Sequence, residues 1–207
     1  MCNLFENRAS FSDLLRAFRL AGRPIVRPQP QAAPNLAPID FARPTDPAPV
    51  ALAFDDGVEL TAMRWGLTPG RPKSGPVINY RSEGRRFTHG RCLVPATAFF
   101  EFTGRTYPKT RWRFTVAADD PLFCFAGFWR VGEGGQGRFT LITAAAGPDM
   151  APYHDRQPVV IANSDWADWL GGEANEGRLL APSPRGTFTA VQDAIGPTAP
   201  SLFGSLP

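Results

Sequence analysis

The chain has 207 residues, 43% of them apolar, with 16 Phe and 5 Trp, which excludes a wholly disordered tail and a disulfide-stapled miniature scaffold. Twenty-two basic residues against 19 acidic leave a net charge of only +3. No window nears about 20 uninterrupted apolar residues and the start lacks a signal-peptide pattern, so a cytoplasmic protein with no membrane partner is expected.

Three Cys without CxxC spacing, Cys2, Cys92 and Cys124, argue against a disulfide framework or a four-ligand zinc site. No metal or other cofactor is implied. In chain order, Ser10 to Phe18 reads as an amphipathic helix, with Ser10 and Asp13 as a capping box and Phe11, Leu14, Leu15 and Phe18 on one face. Eight Pro between Pro24 and Pro49 predict an extended surface segment with neither regular helix nor central strand. Val50 to Phe54 and Val58 to Trp65 form strand-like runs around an Asp55-Asp56-Gly57 turn. Pro76 to Tyr80 is a short strand or loop.

Further strands are expected at Cys92 to Ala96, Ala98 to Phe102, Arg111 to Ala117, Leu122 to Val131, Phe139 to Ala145 and Pro158 to Ala162. Ser164 is expected to cap a short helix carrying Trp166, Trp169 and Leu170, and Leu179 to Leu180 and Thr187 to Gln192 are possible last strands. Many short strands with few helices argue for one mainly β (α+β) domain over residues 1–207, its core barrel-like, or else sandwich-like, with peripheral helices.

Charge is unevenly placed. Between Arg64 and Arg113 there are 11 Arg or Lys and two acids, Glu83 and Glu101, whereas the rest of the chain is net acidic. A basic face beside a lone carboxylate suggests a polyanionic partner; a solvated Arg-rich surface is the alternative.

Four residues could carry chemistry. Removal of Met1 would leave Cys2 with an α-amine and a thiol on one residue, a 1,2-aminothiol that condenses with an aldehyde to a five-membered thiazolidine; otherwise Cys2 is a buried or incidental small residue. Glu101, flanked by Phe100 and Phe102, becomes a general acid or base if it points inward and a surface residue if it alternates outward. His154 could shuttle protons, or be an incidental loop residue. Asn79 offers an amide to a ligand or caps a turn.

In order along the chain stand Met1-Cys2-Asn3-Leu4-Phe5, Met63-Arg64-Trp65-Gly66-Leu67-Thr68-Pro69, Ile78-Asn79-Tyr80-Arg81-Ser82-Glu83, Arg91-Cys92-Leu93-Val94-Pro95-Ala96, Phe100-Glu101-Phe102, Phe125-Ala126-Gly127-Phe128-Trp129 and His154-Asp155-Arg156-Gln157-Pro158. This series, from residue 1 to about 170, resembles the SOS-response-associated peptidase (SRAP) family of abasic-site processing proteins. The resemblance implies a mainly β fold with a basic channel, self-removal of Met1, and a crosslink from Cys2 to the ring-opened sugar of an abasic site in single-stranded DNA. It implies catalytic roles for Cys2, Asn79, Glu101 and His154, DNA contacts through Arg81 and Arg156, and a place for Trp65 beside the DNA cleft. A monomer without an obligate protein partner is expected, nucleoid-associated when bound to DNA.

The sequence departs from the family pattern in three places. Asn3 and Leu4 stand where Gly-Arg is usual, which removes one expected phosphate contact; Phe102 stands where Trp is common; Val191-Gln192-Asp193 replaces the usual Val-Asn ending. Two other function classes fit the residues alone: a Cys-nucleophile peptidase or amidohydrolase acting on other molecules, and a non-catalytic nucleic-acid-binding module.

Overall fold

The computed structural model describes residues 2–28, 38–55, 57–71, 73–118, 121–172 and 175–193. A short strand β1 (Phe5–Asn7) leads into helix α1 (Phe11–Leu20), followed by β2 (Ile25–Pro28), β3 (Ile39–Ala42) and the hairpin β4 (Pro47–Phe54) and β5 (Gly57–Trp65). Then come β6 (Asn79–Arg81), β7 (Arg91–Ala96), β8 (Ala98–Thr103), β9 (Thr110–Val116), β10 (Phe123–Val131) and β11 (Gly137–Ala145). The short β12 (Arg156–Pro158) and β13 (Val160–Ile161), helices α2 (Trp166–Gly171) and α3 (Glu176–Leu179), and β14 (Phe188–Asp193) complete the described elements.

Side-chain alternation explains how these strands stack. In β7, Cys92, Val94 and Ala96 join one apolar cluster and Leu93 another; in β10, Phe123 and Phe125 join the first, Cys124 and Ala126 the second. All of them are buried, so this sheet is covered on both faces. One face meets Phe5, Phe99, Phe114 and Phe188 of a second sheet. The other meets Leu14, Ala17 and Phe18 of α1 and Trp166, Trp169 and Leu170 of α2.

The strands therefore form a five-stranded sheet, ordered β14-β9-β8-β1-β3, and a nine-stranded one, ordered β12-β11-β10-β7-β4-β5-β2, with β6 on β11 and β13 on β10. The barrel-like core expected from the many short strands is corrected by this arrangement. Strand β11 does meet β5 in parallel at Arg138↔Arg64 and Phe139↔Trp65, which curls the larger sheet, but β12 and β2 remain its separate ends and the smaller sheet stands apart. Two independent covers, helices on one face and a sheet on the other, bury the apolar area that a closed barrel would bury inside itself.

Three local expectations also change. Pro47 and Pro49 lie in β4, which sits between β5 and β7 inside the larger sheet; its register with β7 is at Ala51↔Leu93, beyond both prolines, so the missing N–H groups fall where that ladder has not begun. Residues 29–37 of the Pro-rich stretch lie outside the described residues. Leu179 ends helix α3 instead of forming a strand, because Asn175 caps the turn by accepting from the Arg178 N–H. Helix α2 is entered through a 3-10 turn over Asn163–Asp165, which puts Asp165 and not Ser164 at its N-cap. The capping box of α1 is complete: the Ser10 side chain accepts from the Asp13 N–H, and Asp13 accepts from the Ser10 N–H at 2.9 Å.

Candidate active site

Cys2 precedes β1, which pairs with β8 at Phe5↔Phe99. The Phe100 N–H donates to the Leu4 carbonyl at 2.9 Å, so the chain start runs beside Glu101. Cys2 is 1% exposed and Glu101 3%. Its Sγ donates to the Leu4 carbonyl at 3.6 Å. Strand β6, at the rim of the larger sheet, contributes Asn79, whose Nδ2 donates to the Cys2 carbonyl at 2.7 Å.

The orientation of Glu101 decides between its two sequence readings. It faces the interior, while Phe102 is 37% exposed on the opposite side of β8. Phe100, on the side of Phe102, is buried beneath the Phe41 ring, with centroids 5.6 Å apart, and the Arg111 guanidinium, 5.5 Å away.

Burial then sets the chemistry of both groups. Desolvation pushes the Glu101 carboxyl above its usual range, against opposing positive charge that includes His154. Desolvation, followed by the Glu101 charge, pushes the Cys2 thiol up. Cys92 and Cys124 are likewise raised by desolvation, but they lie within the larger sheet and join no polar cluster, so they are core residues.

His154 closes the group from the turn between β11 and β12, its N–H bonded to the Met150 carbonyl at 3.0 Å. Its Nδ1 accepts from the Arg156 backbone N–H at 2.9 Å and lies 2.7 Å from Asp155 Oδ1. The first contact suits a neutral ring with its proton on Nε2; the second meets a proton on Nδ1.

The expected DNA contacts divide. Arg81 shares the Asn79 face of β6 by two-residue alternation, is exposed, and has no carboxylate partner among the described residues. Arg156 is 8% exposed. Its Nη2 donates to the Thr143 carbonyl at 2.7 Å, to Thr143 Oγ1 at 3.1 Å and to Glu83 Oε2 at 3.0 Å, and its Nη1 is bonded to Glu83 Oε1. Trp65 is fully buried, its Nε1 donating to the Ile78 carbonyl at 2.9 Å; it supports the residue before Asn79 from below and presents no surface to a strand. Glu83 and Thr143 were missed in the sequence as parts of this site. Glu83 carried one signal, as one of two acids in the basic stretch; Thr143 carried none.

The gathering of Cys2, Asn79, Glu101 and His154 where the two sheets meet can be set beside known proteins. The model of the family described as SOS response associated peptidase (SRAP) matches residues 1–196. Abasic site processing protein YoaM of Bacillus subtilis (strain 168) is 28% identical over 189 residues, covering 82% of this chain and 79% of that protein. Abasic site processing protein YedK of Escherichia coli (strain K12) is 31% identical over 161 residues, covering 69% and 72%. The fold is shared with solved proteins from Bacteroides thetaiotaomicron, at 20% identity, TM-score 0.71 and coverage of 94% and 93%, and from Bordetella bronchiseptica, at 22%, 0.70, 94% and 100%. A family match that takes in all four site residues and nearly the whole chain leads to one conclusion: this chain belongs to the SRAP family.

Proposed function

We propose that the protein processes abasic sites in single-stranded DNA by a covalent crosslink through Cys2. The observation that carries this reading is the Asn79 amide on the Cys2 carbonyl, 2.7 Å away, which holds the future chain terminus beside a buried carboxylate. The names of the relatives YoaM and YedK point the same way.

Removal of Met1 comes first. The Cys2 sulfur adds to the Met1 carbonyl carbon, the Cys2 nitrogen leaves with a proton relayed by Glu101, and water cleaves the thioester to release methionine and restore the thiol. The freed amine then condenses with the C1′ aldehyde of the opened sugar, losing one water and leaving an imine. The S–H adds across it, sulfur to carbon and proton to nitrogen, closing the thiazolidine. A thiol held protonated by burial suits this last addition, since the proton it brings is the one the nitrogen needs. His154 serves the C4′ oxygen, which must gain a proton as the sugar ring opens. Arg81 supplies the phosphate contact, whereas Arg156 holds the loop after β6 against β12.

The reading is tested by incubating the protein with single-stranded abasic, single-stranded intact and double-stranded abasic oligonucleotides on a denaturing gel. A slow-migrating band with the single-stranded abasic strand, absent for the intact strand and for Cys2→Ala, is expected. A band that persists in Cys2→Ala would overturn it.

A further inference from the structure

Tyr80 lies between Asn79 and Arg81 on β6, so its side chain projects from the face opposite theirs. It begins a ladder of rings and guanidinium groups. Arg85 lies over the Tyr80 ring at 4.4 Å and donates to its hydroxyl at 2.9 Å. Tyr80 stacks on Phe128, centroids 6.0 Å apart at 26°, and Arg130 lies over Phe128 at 4.9 Å. Phe87, buried, braces both rings edge-on.

Tyr80, Phe128 and Arg130 line a hollow of about 430 Å³ that adjoins a second of about 680 Å³, with Arg85 and Arg86 shared between the two. Their charge is unbalanced. Among the described residues, the acids that line them are already used: Glu83 by Arg156 and Glu176 by Arg91 at 2.7 Å. Arg85, Arg86 and Arg130 are exposed and have no carboxylate partner among the described residues. Two guanidinium groups held over rings, Arg85 and Arg130, with the exposed Arg86 lining the same hollow, are preorganised for anionic oxygens.

We infer that this groove is a second contact for the same nucleic acid, a phosphate track that holds the strand flanking the lesion. It rests on the reading of the site as one that takes single-stranded DNA. A strand leaving the Asn79 and Arg81 face has only the width of β6 to cross before reaching the groove, and among the described residues β6 pairs only with β11. No base is read there, because Tyr80 and Phe128 are already stacked on each other and capped by arginines; the recognised chemistry is the phosphodiester backbone.

The test is a titration of intact, uncrosslinkable single strands of about 5 and about 20 nucleotides against wild type and an Arg85→Ala/Arg86→Ala/Arg130→Ala variant, over a range of salt. For the long strand the variant should bind at least tenfold more weakly, its log affinity against log salt flatter by about two, as expected for three lost phosphate contacts. Short-strand binding and crosslinking of a short abasic strand should be unchanged. Extending the strand on the 5′ or the 3′ side alone identifies the flank. Unchanged long-strand affinity would overturn the inference, and with lost binding to an acidic peptide it would reassign the groove to a protein partner. Equal losses for both lengths would also overturn it. Failure of wild type to crosslink abasic DNA would sink the site reading, while the intact-strand titration would still report on the groove.

Discussion

Loss of water raises both the Cys2 thiol and the Glu101 carboxyl above their ordinary values, and at Cys2 the Glu101 charge adds to that rise. Because the folded pKa of Glu101 lies above its ordinary value of 4.5, the folded state binds more protons between the two values. Its contribution to stability therefore falls as pH rises from about 4.5 through the folded pKa, and stays at the lower level above it. Glu101→Gln abolishes this dependence. Its melting temperature relative to wild type should be near parity at about pH 4 and higher at about pH 7, while its rates of Met1 loss and crosslinking drop by about a hundredfold or more. Thermal melts at both pH values together with crosslinking time courses check this; a melt difference that ignores pH would return Glu101 to a neutral structural role. Asn79→Ala removes one hydrogen bond, so its stability should fall by about 0.5–1.5 kcal/mol, measurable by denaturant titration. Its crosslinking rate should fall further than that stability loss explains, because the Cys2 carbonyl is no longer held. The sequence made Cys2 and Glu101 legible as oddities, a Cys beside the initiator and a carboxylate among phenylalanines. It could not say which way Glu101 points, since strand alternation allows either face until both covers of the sheet are known.

At the level of elements, Arg156 joins two segments far apart in sequence. Its backbone N–H holds His154 Nδ1 at 2.9 Å, and its guanidinium holds Glu83 in the loop after β6. That ion pair lowers the Glu83 carboxyl from its ordinary value of 4.5, chiefly through the hydrogen bonds from Arg156. A depressed carboxylate contributes stability that is present above its unfolded pKa and lost as pH falls through the folded one. Wild type should therefore lose part of its melting temperature below about pH 4.5, and Glu83→Gln should lack that part and melt lower at about pH 7. Equal pH profiles for the two proteins would show that the pair contributes nothing. Such long-range pairing leaves no local trace, which is why neither Thr143 nor the carboxylate partner of Arg156 is legible in the sequence. The prolines of β4 misled for a related reason: Pro47 and Pro49 exclude a strand laddered on both sides, and β4 acquires its β7 partner only at Ala51.

For the whole molecule, most strands from Val50 onward were legible from alternation and turn residues, but the short β1, β2 and β3, the order of strands in the sheets and their closure were not. Whether strands form a barrel or two sheets depends on which apolar faces find separate covers, and here α1 and α2 take one face while Phe99, Phe114 and Phe188 take the other. The uneven Arg distribution foretold a basic face without telling its exposed members from its structural ones. Salt dependence separates them. Arg81→Ala should flatten the slope of log affinity against log salt for single strands by about 0.7. Arg156→Ala should leave that slope nearly unchanged and lower stability, because it leaves Glu83 and Thr143 without their partner. Equal slope changes in both would place Arg156 on the DNA as well.

The proposed crosslink requires a free 1,2-aminothiol at residue 2, and intact mass spectrometry tests for it most directly. Purified protein should have lost one methionine. After incubation with a single-stranded abasic oligonucleotide, its mass should rise by that of the oligonucleotide less one water, and Cys2→Ala should show no such stable adduct. Retention of Met1 in protein that still crosslinks, or the same adduct on Cys2→Ala, would contradict the account.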